Sequence, residues 1–121
     1  MKYMLMIYAN QQTWDSFPAE EWPRAIAAQD AFNQRFFDSG ELLGAYGLAD
    51  AVNARTVRVR AGLPAVTDGP YLETKEYLAS YYLLDCPDEA RALEIAAELP
   101  WASVGAVELW PVQHEAAPGR A

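Results

Sequence analysis

Two stretches of this chain are apolar at consecutive positions yet too short for helices of average length: Lys2 to Ala9 (Lys-Tyr-Met-Leu-Met-Ile-Tyr-Ala) and Tyr77 to Leu84. Strand formers dominate both, so each reads as a β-strand that wants burial on its front and its back. Against them stand only two helical periodicities. Trp22, Ala25, Ile26, Phe32 and Phe36 recur at helical spacing up to Ser39, where Gly40 ends the pattern, and Ala92, Ile95, Ala96 and Leu99 form a second stripe that Pro100 stops. Two helices cover one face of a sheet. Four strands at ~4.8 Å spacing and about 17 Å length present a second face of roughly 300 Å² in plan, at or beyond what soluble monomers leave contiguous and bare. The simplest cover is the same face of another copy, so a homodimer is expected.

The remaining segments fill in the order. Asn10 to Phe17 is polar and turn-like, with Ser16 as candidate helix cap and Pro23 either in the first turn or at the junction of a short turn with the main helix. Leu42 to Leu48 reads as a strand whose glycines mark a bulge or a close backbone approach. Asn53 to Arg60 alternates, and Ala61-Gly62-Leu63-Pro64 turns it back into Ala65-Val66-Thr67 as a hairpin. Asp85 with Pro87 reads as cap and first-turn proline of the second helix, and Ala106 to Val112 is the last strand. This predicts one α+β domain over residues 1–113, an antiparallel sheet with both helices on one face and an inserted hairpin, followed by a frayed tail at 114–121.

A composition of 52% hydrophobic and 21% charged residues belongs to a folded globular chain. The formal net charge of −8 argues against nucleic acid and anionic membranes as partners, since Arg55, Arg58 and Arg60 scatter over both faces of one strand. One cysteine and one histidine give no metal-ligand spacing, and no metal or other cofactor is expected. With no apolar stretch near the roughly 20 residues that span a bilayer, and no leader ahead of the first strand, the expected compartment is the cytoplasm.

Polar chemistry concentrates in Val66-Thr67-Asp68-Gly69-Pro70-Tyr71-Leu72-Glu73-Thr74-Lys75-Glu76. Asp-Gly-Pro is turn chemistry before it is anything else: Asp68 can bond its own backbone, Gly69 accepts unusual angles and Pro70 fixes φ. The run resembles the signature of the YCII-related, or DGPF-domain, family: Asp68-Gly69-Pro70-aromatic, with Tyr71 where Phe is commoner, then Glu73-Thr74-Lys75-Glu76. The resemblance extends from Lys2 to Ala9 through Arg55-Thr56-Val57-Arg58 and Tyr81 to Asp85 to the closing Val107 to Val112. It implies a ferredoxin-like βαββαβ unit pairing into a dimeric α+β barrel, and no settled reaction.

Within that frame Asp68 is the candidate general base or acid, its alternative being that Asp68 and Thr74 tie the loop down through backbone hydrogen bonds. Arg55 and Arg58 have the chemistry to hold a carboxylate or phosphate of a small-molecule ligand, although pairing with Glu73 or Glu76 is the preferred reading. Gly69, Pro70, Tyr71, Glu73, Thr74 and Lys75 would line the same ligand site. Tyr8, Tyr46, Tyr81 and Tyr82 offer flat surfaces to a ligand, or serve as core and interface. Glu108 faces opposite to Val107 and Leu109 and needs a partner if buried.

Some YCII-type proteins and more distant barrel relatives, such as muconolactone isomerases, are associated with proton transfer on small cyclic molecules, with a His and an Asp proposed for YCII. This chain departs from that pattern: its histidine, His114, lies in the tail, and Asn10 can hydrogen-bond but not exchange a proton near neutral pH. Cys86 reads as a small residue at a helix start, not a nucleophile. Three readings follow. One is a cofactor-free lyase or isomerase acting on a small cyclic substrate. Another is a non-catalytic ligand-binding or accessory module, because family members often sit beside alternative sigma factors. The third is a structural dimer without a ligand.

Overall fold

The computed structural model describes residues 1–72 and 74–118. Its strands are β1 (Lys2–Ala9), β2 (Leu42–Gly47), β3 (Arg55–Arg60), β4 (Leu63–Asp68), β5 (Tyr77–Asp85) and β6 (Ala106–Pro111), and its helices are α1 (Gln11–Ser16), α2 (Trp22–Ser39) and α3 (Glu89–Ala97). Four strands form one sheet in the order β2-β5-β1-β6, every pair antiparallel, and β3-β4 form a separate two-stranded ribbon. That order, with α2 after β1 and α3 after β5, is the α+β unit with an inserted hairpin read from the residues, in the ferredoxin-like arrangement that the resemblance implies.

Alternation along β1 explains the layers. Tyr3, Leu5 and Ile7 are buried at 3%, 0% and 4% exposure, and they join Tyr82 and Leu84 of β5, Leu42 of β2, Phe32 and Phe36 of α2, and Ala92 and Ile95 of α3 in one core. The intervening residues point the other way. Met4 pairs with Leu83 and Trp110, Met6 with Tyr81 and Glu108, and Tyr46 with Tyr81, so these side chains share the face opposite the one on which α2 and α3 pack. Tyr46 and Tyr81 stack there at 5.0 Å, and Trp110 is 54% exposed.

Three local expectations are corrected. Asn10 to Phe17 is not a plain turn: the Asn10 side chain accepts hydrogen bonds from the Thr13 backbone N–H at 2.7 Å and its hydroxyl at 2.9 Å, and so caps α1. Ser16, the expected cap, closes α1 instead; a 3₁₀ turn at Ala19–Glu21 follows, and Pro23 sits in the first turn of α2. Second, Ile26 is 57% exposed, because the buried stripe of α2 runs through Phe32 and Phe36 and residue 26 lies off it. Third, Asp85 does not cap α3. Its N–H bonds to the Glu41 carbonyl at 2.8 Å, which keeps β5 going, and Asp88 caps the helix by accepting from the Arg91 N–H at 2.9 Å.

Glycine matters at two places for different reasons. Gly40 ends α2 at φ 81°, as expected, while in β2 the register shifts between Leu42 and Gly44, and a Cβ on Gly44 would meet the Tyr46 hydroxyl at 2.5 Å and its ring at 2.8 to 2.9 Å.

One ion pair ties the sheet to α3. Arg91 donates from Nε to Glu41 Oε2 at 2.7 Å and from NH2 to Glu41 Oε1 at 2.9 Å. The Arg91 hydrogen bonds hold the Glu41 carboxyl below its ordinary 4.5 against the opposing effect of burial, with Ser39 assisting. A carboxylate whose pKa is depressed by folding contributes stability above its unfolded pKa and loses it as pH falls through the folded one. Glu41→Gln is therefore expected to lower the melting temperature at pH 7, and the gap to the parent chain should close as the pH is taken below the ordinary glutamate range. A gap that persists at pH 3 would assign the loss to packing.

Candidate functional site at one end of the sheet

A cavity of about 490 Å³ opens where β1 and β2 end and β5 and β6 begin. That volume is in the range of small-molecule sites. Gly105 makes part of its wall possible: a Cβ there would stand 2.8 Å from the Tyr8 carbonyl oxygen, so only glycine lets the approach to β6 pass so close to the end of β1.

Aromatic packing forms the helix side. Trp14 of α1 meets Trp101, from the 3₁₀ turn Pro100–Ser103, edge-on at 5.1 Å, and stacks on Trp22 at 5.8 Å; Phe17 joins both Trp22 and Trp101. This cluster clamps α1 and the start of α2 to the connection before β6, and Trp14 and Trp101 line the cavity. Its polar wall consists of Asn10, Thr13, Asp50, Glu76, Tyr77 and Ser80. The Asn10 amide donates to Glu76 Oε1 at 2.9 Å while its oxygen is occupied by Thr13, so the α1 cap also orients a carboxylate 66 residues away in sequence. Thr74 steadies the same segment, its hydroxyl donating to the Glu76 carbonyl. The Tyr77 hydroxyl is buried with no hydrogen-bond partner among the described residues, an uncompensated desolvation in the wall of a cavity.

The sequence candidates divide among three places. Asp68 ends β4 with its side chain 91% exposed and its Oδ1 3.2 Å from Arg55 Nε, and it does not line the cavity. Gly69 has φ 89°, donates its N–H to the Ala54 carbonyl at 2.8 Å and accepts from the Thr56 hydroxyl at 2.9 Å. Pro70 lines a smaller cavity of about 340 Å³ that shares Leu48, Asp50 and Tyr77 with the first. Arg55 thus pairs with Asp68 and not with Glu76, which Asn10 holds, and Arg58 lies over the Tyr71 ring at 4.9 Å. Lys75 is exposed, and Glu73 lies outside the described residues.

Tyr81 and Glu108 belong to the open sheet face. Glu108 accepts from the Trp110 indole at 3.0 Å; burial first, then the hydrogen bond and charge of Glu108, push the Tyr8 phenol above its ordinary value. Tyr8 also lines the cavity, so it joins the two regions. Cys86 is buried at 4% exposure, and burial pushes its thiol up, which leaves it protonated and unreactive.

Trp14, Asp50, Tyr77, Ser80 and Trp101 were not sequence candidates. The available signal was that Trp14 and Trp101 fall outside both helical stripes, where a large apolar residue needs some other reason to be buried.

The YCII-related domain model matches residues 1–115. The chain belongs to the YCII-related domain family. It is also 32% identical over 114 residues to an uncharacterized protein of Rhizobium meliloti (strain 1021), covering 93% of this chain and 92% of that one. No helix among the described residues of this YCII member is long and apolar enough to cross a membrane.

Proposed function

We propose that this YCII-related protein is a homodimer that binds a small cyclic molecule in the cavity at the end of each sheet and transfers a proton on it without a cofactor, as an isomerase or lyase. One observation carries this reading: a carboxylate, Glu76, is held by Asn10 in the lining of a 490 Å³ cavity that Trp14 and Trp101 also line. A general base needs hydrogen-bond reach to its proton and a locked orientation. Glu76 has the orientation, and the tryptophans supply a surface for a flat substrate. Asp68 reaches this cavity in neither respect within one chain, so Glu76 takes the role and Asp68 serves the hairpin. The second copy covers the sheet face that carries Met4, Met6, Tyr81 and Leu83.

The test is deuterium exchange by NMR at carbons next to the carbonyl in a panel of small cyclic ketones and lactones, with and without an amino substituent. Wild-type protein is expected to accelerate exchange of at least one member, and Glu76→Gln to lower that rate by about 10²–10⁴-fold at unchanged melting temperature, with Asp68→Asn near wild type. Loss in Asp68→Asn with retention in Glu76→Gln would return the catalytic role to Asp68.

A further inference from the structure

We propose that the cavity selects a small organic cation, an ammonium or amidinium on an apolar or aromatic body, with Asp50 as its counter-ion; this rests on the reading of the cavity as a ligand site. Its ionisable lining residues of ordinary charge, Asp50 and Glu76, are both acidic, and no lysine, arginine or histidine lines it among the described residues. Glu76 is partly engaged by Asn10. Asp50 is not engaged at all: it stands at the cap position of the 3₁₀ turn Ala51–Asn53, yet its side chain makes no cap hydrogen bond and has no ion pair among the described residues. Aspartate at such a position ordinarily spends its oxygens on the turn's N–H groups; here the residue is exposed and its carboxylate is open to water or to a cationic occupant of the cavity it lines.

The charge balance decides the sign of the occupant. An anion would meet two carboxylates inside a chain of net charge −8, with no compensating cation, and its desolvation would go unreturned. A cation gains Asp50 directly, and the faces of Trp14 and Trp101 attract it further while accommodating its apolar body. The unpartnered Tyr77 hydroxyl adds a polar group beside the same wall.

The experiment compares benzylamine, benzyl alcohol and benzoate on the full-length chain at low ionic strength, read by tryptophan fluorescence and calorimetry. Benzylamine is expected to bind at least about tenfold more tightly than benzoate, with the advantage shrinking as salt is added. Asp50→Asn should reduce the preference to near parity, and Asp50→Lys should reverse it toward benzoate, both with the parent's melting curve. If benzoate or benzyl alcohol binds as well as the amine, or the preference survives both substitutions, charge selection falls while the cavity remains a ligand site. If none of the three binds, the ligand reading falls and takes this inference with it.

Discussion

Leu83→Asp is expected to turn a particle of twice 13.4 kDa into one of 13.4 kDa at micromolar concentration by sedimentation, with circular dichroism unchanged. Leu83 is half-buried on inner strand β5, opposite Met4 on one side and Gly44 on the other, in the middle of the face that neither α2 nor α3 covers. In the separated chain a carboxylate at that position keeps contact with water. In a twofold pairing of the two faces it is buried without a partner, and the symmetry brings in a second one. A penalty of about 4 kcal/mol weakens the dimer by roughly three orders of magnitude. Leu93→Asp is the control: that leucine is 52% exposed on α3, away from the sheet's open face, and its substitution should leave the dimer intact. A parent chain that sediments at 13.4 kDa would remove the pairing itself.

The two-sided strands were legible because side chains alternate with period two whatever the tertiary context, so Tyr3, Leu5 and Ile7 on one face and Met4 and Met6 on the other follow from the order of letters. The hairpin was legible for a similar reason, since β3 and β4 pair locally across Ala61 and Gly62. What escaped was set by contacts distant in sequence. Asp85 and Asp88 are equally good caps on paper, and the choice was made by the Glu41 carbonyl, which drew Asp85 into the sheet. Asn10 looked like a turn residue because a six-residue helix carries too little periodicity to announce itself. The cavity was least legible of all. Its walls come from the ends of four strands, a short helix and a 3₁₀ turn, and its principal polar contact joins Asn10 to Glu76 across most of the domain. The Asp68-Gly69-Pro70 run drew attention to the right loop, but the loop delivers its last residues, Glu76 and Tyr77, to that cavity and leaves Asp68 with Arg55.

Phe36→Ala is expected to cost about 3–5 kcal/mol and to lower the melting temperature by on the order of 10–20 °C, whereas Ile26→Ala, on the same helix, should change it hardly at all. The two residues looked alike in sequence. In the fold Phe36 is 1% exposed and packs on Phe32 at 4.9 Å, with the Arg35 guanidinium 4.8 Å above its ring. Removing the ring leaves a cavity between α2 and the sheet that the backbone cannot close, because Phe32 is the other buried side chain of this helix. It also removes the surface on which Arg35 rests while reaching Glu98 at 2.6 Å, so one truncation loosens α2 both from the sheet and from the segment just after α3. Ile26, 57% exposed, loses little burial, and alanine's better helix propensity offsets what it does lose. Thermal melts of the two variants at equal concentration check the contrast. Equal losses would mean that the exposed side of α2 is covered in solution by something other than water, and the second copy would then have to be sought on the helices instead of on the sheet.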